Sequence, residues 1–109
     1  MEEKVLIVEG TSDRKRVKAV LDEPVDIICT YGTLSDEKLE TLILPIEDHD
    51  VYILVDADHA GESLRKQLKR ELPNATHLYT QKGYGQVETT PLDYLTQILR
   101  GYFHVKEIK

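Results

Sequence analysis

Apolar positions in this chain follow two alternating rhythms. Short aliphatic runs at residues 4–8, 25–31, 51–55 and 76–80 read as strands, the first and third with no break in hydrophobicity after their opening residue. Between them, apolar residues recur at three- and four-residue spacing. Helix one is expected from a Thr11 or Ser12 cap to about Leu21, with Val17, Val20 and Leu21 on one face. Helix two is expected over residues 35–44, with Asp36 and Glu37 in its first turn. Its apolar stripe is Leu39, Leu42 and Ile43, and Pro45 ends or kinks it. Helix three covers about residues 60–72, turning Leu64, Leu68 and Leu72 to the sheet and its basic residues elsewhere. Residues 81–89 read as a loop, after which Thr90-Pro91 opens helix four as N-cap and first helical residue. Leu92, Leu95 and Leu99 form its buried side, Gly101 closes it, and residues 102–108 read as a short edge strand.

Strict strand–helix alternation argues for an α/β fold, a parallel sheet covered on both faces. With 109 residues and no linker-like stretch, residues 1–109 are expected to form one domain. A single cysteine excludes an intrachain disulfide, and Cys29 lies in an apolar run that suits the core. No apolar run approaches the ~20 residues of a membrane helix, and Met1-Glu2-Glu3-Lys4-Val5 has no signal-peptide pattern. The expectation is a soluble, cytoplasmic protein without membrane partners.

A net charge of −6 argues against wholesale coating of nucleic acid, but the charges are unevenly placed. Residues 35–50 hold six acids against one base. Arg14, Lys15, Arg16 and Lys18 form one basic group, and Arg65, Lys66, Lys69 and Arg70 form another. Both read as solvated helix faces or as contacts to a phosphate backbone.

The candidate chemistry sits at two strand ends. After strand three comes Asp56-Ala57-Asp58, two carboxylates one residue apart. On an extended chain they point to one side, roughly 6–7 Å apart at about 3.3 Å per residue. Hard divalent cations take such oxygen ligands. The plainer alternative is that Asp58 caps the next helix and Asp56 is solvated. A second acid, Glu9, leaves strand one just before a helix, and ligands of open parallel sheets bind at such carboxyl ends. If Glu9 and Asp56 share one cation, strands one and three are neighbours, and right-handed crossovers give the order 2-1-3-4.

These residues resemble the Toprim domain, shared by bacterial primases, type IA and type II topoisomerases, recombination proteins and some nucleases. Glu9-Gly10 and Asp56-Ala57-Asp58 match its two hallmarks, Glu9-Gly10-Thr11-Ser12-Asp13 has the primase-like E-G-x-x-D form, and Gly32 matches the glycine after strand two. Asp56-Ala57-Asp58-His59-Ala60-Gly61-Glu62-Ser63-Leu64-Arg65 is most similar to the D-P-D-x-x-G-E-x-I-R of ribonucleases that mature small ribosomal RNA. Their G-V-E segment resembles Gly85-Gln86-Val87-Glu88, one residue longer. Ala57 departs from the usual proline. The ribonucleases also have a C-terminal RNA-binding region for which this chain shows no counterpart. Nothing marks one of its six tyrosines as a topoisomerase nucleophile. The resemblance implies a stand-alone Toprim domain, a three-layer α/β/α Rossmann-like fold with a four-stranded parallel sheet.

It also implies that Asp56 and Asp58 hold Mg²⁺, or Mn²⁺, while Glu9 acts as general acid or base or as a further ligand. Independently of the family, phosphoryl transfer needs charge neutralisation and a positioned proton acceptor, and Mg²⁺ beside carboxylates offers both. Asp13 either completes the acidic cluster or faces the helix dipole. Glu88 binds a second metal or is an exposed loop acid, and Lys82 contacts phosphate or is solvated. His59 lies within the acidic turn, where it can donate a hydrogen bond to substrate, and Gly10 and Gly32 border the same region. No glycine-rich nucleotide-binding motif is present in the sequence. The expected function is Mg²⁺-dependent phosphodiester hydrolysis, on RNA rather than DNA, with a possible protein partner supplying recognition. Two alternatives stay open. One is a non-catalytic Toprim module binding metal and nucleic acid or a partner. The other is a phosphoaccepting receiver domain using Thr80 and Lys82, although such domains pair their acids after strand one and have five strands.

Overall fold

The computed structural model describes residues 3–80 and 86–106. Four parallel strands, β1 (Lys4–Val8), β2 (Asp26–Cys29), β3 (Asp50–Leu54) and β4 (Thr76–Leu78), form one sheet in the order β2-β1-β3-β4. That order is the one required by a site shared between β1 and β3. Val5 pairs with Asp26 on one side and with Val51 on the other, so β1 is central and Glu9 leaves the sheet beside the turn after β3.

The two-residue alternation of β1 divides the core. Leu6 and Val8 point into a cluster with Val17, Val20, Leu95 and Leu99, which belongs to α1 (Thr11–Val20) and α4 (Leu92–Arg100). Val5 and Ile7 point the other way, against Ile43 and Ile46 of the helical segment between β2 and β3 and Leu64 and Leu68 of α3 (His59–Glu71). Both faces are therefore sealed, as a parallel sheet requires. Among the described residues, no helix is long and apolar enough to cross a membrane.

Several element ends differ from the sequence-based expectation. Gly10, not Thr11 or Ser12, is the N-cap of α1, and the Asp13 carboxylate closes the turn by accepting from the Gly10 N–H at 3.0 Å. The second helix starts as expected, with the Ser35 hydroxyl accepting from Lys38 N–H at 3.2 Å. However, α2 is regular only over Asp36–Lys38, then widens to a π turn over Leu39–Ile43 and tightens to a 3₁₀ turn over Leu44–Ile46. Pro45 cannot donate a hydrogen bond to the preceding turn, and the Thr41 hydroxyl bonds back to the Glu37 carbonyl at 2.9 Å. Pro45 thus distorts the helix instead of ending it. Pro91, not Thr90, occupies the cap position of α4. Thr90 is buried and donates its hydroxyl to the Gln86 carbonyl at 2.6 Å. Of the edge strand expected over residues 102–108, the described residues show one antiparallel bridge, between Val105 and Leu21.

Candidate metal and phosphate site

The carboxyl ends of β1, β2 and β3 each contribute one part of a single cleft. Its volume is about 480 Å³, and it is bordered by Glu9, Asp13, Tyr31, Gly32, Asp56 and Glu88. Glu9 and Asp56 are joined directly: one Glu9 carboxylate oxygen accepts from the Asp56 N–H at 2.8 Å. Asp56 in turn accepts from the Val87 N–H at 2.9 Å. The Val87 side chain is fully buried in the core, so it anchors the 86–90 turn and presents Glu88 at the cleft. The guanidinium of Arg16 bonds the Thr90 carbonyl and ties this turn to α1.

Asp58 sits differently. β3 ends at Leu54, so the two-residue alternation does not run on to residue 58. Asp58 instead caps α3, accepting from Gly61 N–H at 2.8 Å. It remains close enough to raise the pKa of both Glu9 and Asp56. Capping thus leaves it near the other two acids, although it is not among the residues that line the cleft. His59, the first residue of α3, is exposed and outside the cleft lining, whereas Gly10 and Gly32 belong to it. Lys82 lies outside the described residues.

Gly61 explains the glycine of the second acidic motif. A Cβ at this position would collide with the Asp56 carbonyl oxygen and come within 2.9 Å of its carbon. Only glycine lets the first turn of α3 pack on the acidic turn.

Burial and mutual repulsion dominate the electrostatics of these acids, with the buried Arg65 charge felt at Glu9. Glu9 is pushed above its ordinary pKa, first by burial and then by Asp56, Asp58 and Asp13, against the lowering effect of the Asp56 N–H. Asp56 is raised by burial, then by Asp58 and Glu88, with the Val87 N–H opposing. Asp13 is raised by burial foremost, with Asp56 and Glu88 adding to it and the Gly10 N–H opposing. Among the described residues, none of Glu9, Asp13, Asp56 and Asp58 is ion-paired. Nor do three His, Cys, Asp or Glu side chains among them form a ready-made metal cage. The donor set still fits Mg²⁺, a hard cation held through one or two carboxylates, with water and substrate phosphate completing its shell.

Arg65 overturns the expectation of a solvated basic face on α3. It is 1% exposed, and its guanidinium donates to the Leu78 carbonyl at 2.6 Å and the Val55 carbonyl at 3.3 Å. It also contacts His77 Nδ1 at 3.0 Å and stacks 4.1 Å from the Tyr79 ring centroid. Burial and the Arg65 and Lys69 charges lower the His77 pKa, which favours the neutral ring that can accept this bond. Arg65 therefore ties the carboxyl ends of β3 and β4 together behind the acids and is not available to phosphate. Its spacing from Gly61 and Leu68 places it on the buried face, a signal already present in the sequence.

Tyr31 was not singled out by the sequence. It adopts φ +53°, in the left-handed region, which costs a non-glycine residue about 1–2 kcal/mol. Gly32 follows at φ +106°. The turn is fixed by Tyr31 N–H donating to the Glu9 carbonyl at 2.7 Å, and by the Lys38 ammonium on the carbonyls of Thr30 (2.8 Å) and Tyr31 (3.4 Å).

The Toprim domain model matches residues 4–89. A solved small TOPRIM domain protein from Bacillus stearothermophilus superposes with a TM-score of 0.89 at 51% identity, over 97% of this chain and 91% of that one. The uncharacterized protein YusF of Bacillus subtilis (strain 168) is 52% identical over 97 residues, covering 89% of this chain and 66% of YusF. Ribonuclease M5 of Fusobacterium nucleatum is 30% identical over 106 residues (91% of this chain), and that of Bacillus subtilis is 32% identical over 79 residues (72%). This chain spans 58% and 41%, respectively, of those two enzymes. Sheet order, paired acidic turns and these matches agree: the chain belongs to the Toprim domain family.

Proposed function

We propose that this chain is a Mg²⁺-dependent nuclease domain that hydrolyses phosphodiester bonds, with RNA as its substrate. The observation that carries the reading is the Glu9–Asp56 linkage. It places two carboxylates from different strands in one cleft at the sheet's carboxyl end, with Asp13 and Glu88 beside them. The ribonuclease M5 relatives favour RNA over DNA.

Asp56, Asp58 and Asp13 are the residues that would hold the metal, leaving Glu9 for proton transfer. Bound there, Mg²⁺ would neutralise charge on non-bridging phosphate oxygens and activate water. Glu9 is the proposed general base. The Asp56 N–H holds one of its oxygens, and the carboxylate keeps a second to accept a proton. Asp56 is held by the Val87 N–H, which fixes the acid to the 86–90 turn. The raised carboxylate pKa values mean that metal binds in competition with protons, weakly until a phosphate supplies further ligands. A cytoplasmic setting and a protein partner for substrate recognition belong to the same proposal.

The second reading is a Toprim module that binds metal and nucleic acid, or a partner protein, without turnover. Incubation of the purified protein with structured RNA, single-stranded RNA and DNA, with Mg²⁺ or Mn²⁺, separates the two. Metal-dependent cleavage of RNA supports the nuclease. Salt-dependent binding without any cleavage supports the module.

A further inference from the structure

We infer that Tyr31 is a stacking platform for an unpaired nucleobase, seating a single-stranded RNA segment across the acidic cleft. The inference rests on the proposed nucleic-acid function and adds the strand form of the substrate and the residue that reads it.

Three features of Tyr31 point this way. The residue is 62% exposed, so its large side chain gains little from the core. Its backbone nevertheless holds a left-handed conformation that bulky residues rarely adopt, and such outliers concentrate at ligand clamps. That conformation is over-determined by the bonds to Glu9 and Lys38, and the ring's hydroxyl sits 3.3 Å from the Thr11 hydroxyl at the start of α1. An exposed aromatic group is thus held rigidly at the cleft wall, and the strain is not repaid by packing.

Other exposed tyrosines show the contrast. Tyr79 has the Arg65 guanidinium on its ring, and Tyr102 packs against Tyr52 at 5.5 Å. Among the described residues, the Tyr31 ring has no ring or cation partner. The Tyr31 N–H bonds the Glu9 carbonyl, and the Glu9 carboxylate bonds the Asp56 N–H. A base on Tyr31 would therefore place its neighbouring phosphates along the acids, where charge alone gives no affinity without metal. Aromatic stacking supplies a contact that tolerates every base, but it requires an unstacked one, which duplex RNA does not offer.

The test uses the full chain, Ca²⁺ in place of Mg²⁺, and a short single-stranded oligoribonucleotide carrying 2-aminopurine. Tyr31→Asn removes the ring and retains a residue that tolerates the left-handed turn, while Tyr31→Phe retains the ring and removes the hydroxyl. Stacking predicts quenching of 2-aminopurine by wild type and Tyr31→Phe, and an affinity loss of roughly ten- to hundred-fold in Tyr31→Asn. The salt slope should stay unchanged, because no phosphate contact is removed. Binding of a blunt RNA duplex should be nearly insensitive to the substitution. Equal single-strand affinity of wild type and Tyr31→Asn overturns the inference while leaving the cleft a nucleic-acid site, as does an equal loss on duplex. Failure of wild type to bind any RNA overturns both this inference and the function on which it rests.

Discussion

The Asp56 N–H donates to the Glu9 carboxylate at 2.8 Å, so the acid leaving β1 is fixed to the acidic turn leaving β3. Forty-seven positions separate the two residues, and the parallel pairing of β1 with β3 brings them together. The same bond stabilises the charged form of Glu9 while burial and its acidic neighbours oppose that form.

Metal-free stability should depend on this opposition. Glu9, Asp13 and Asp56 all have folded pKa values above their ordinary ones. Their contribution to stability is therefore complete below the ordinary carboxylate pKa of about 4 and is lost as pH rises through the folded values. In Asp56→Asn the amide oxygen can still accept from Val87, but the half-buried charge is gone. Thermal melts in EDTA at pH 7.5 should show the variant more stable by a few degrees, with the difference vanishing near pH 4. A variant less stable than wild type at pH 7.5 would mean that the carboxylates are not in conflict.

Added Mg²⁺ should relieve the same repulsion and raise the wild-type melting temperature. Asp56→Asn combined with Asp58→Asn should abolish Mg²⁺ binding in calorimetry and leave the fold intact, because asparagine also caps helices well. Unchanged Mg²⁺ affinity in the double variant would move the metal elsewhere.

Gly61→Ala should disrupt the acidic turn, since its Cβ would meet the Asp56 carbonyl. Backbone has to shift to make room, at a cost of about 1–3 kcal/mol or more. Urea unfolding measures the loss, and wild-type stability in this variant would contradict the packing described for α3.

Arg65 and Arg70 should separate structure from docking. Arg65→Met leaves the Val55 and Leu78 carbonyls without their buried donor and should destabilise by about 3 kcal/mol. Arg70→Ala should leave stability nearly unchanged, since Arg70 is exposed and its contact with Glu71 at 3.7 Å is a surface pair. If the α3 surface meets RNA, Arg70→Ala flattens the salt dependence of binding. Matching stability losses in both variants would contradict the assignment of Arg65 to the interior.

The strand order was legible because two acids at strand ends and right-handed crossovers leave few arrangements. The core faces were equally legible, Leu6 and Val8 against Val5 and Ile7. Less so was Arg65: its charge suggested solvent even though its spacing put it on the buried face, and its partners lie at the ends of β3 and β4, distant in sequence. The Asp58 cap was anticipated as one of two alternatives, whereas the left-handed turn at Tyr31 had no sequence signal beyond Gly32. Positive φ at a tyrosine is set by contacts with Glu9 and Lys38, which come from other elements.

Glu9→Gln tests the central claim most directly, with cleavage and binding measured side by side on one RNA in Mg²⁺. Glutamine can still accept from the Asp56 N–H but cannot take a proton at neutral pH. A catalytic base predicts loss of kcat by roughly two to four orders of magnitude with RNA affinity nearly unchanged. Wild-type cleavage rates in Glu9→Gln would contradict the base role, and a wild-type protein that binds RNA yet cleaves nothing in Mg²⁺ or Mn²⁺ would contradict the nuclease itself.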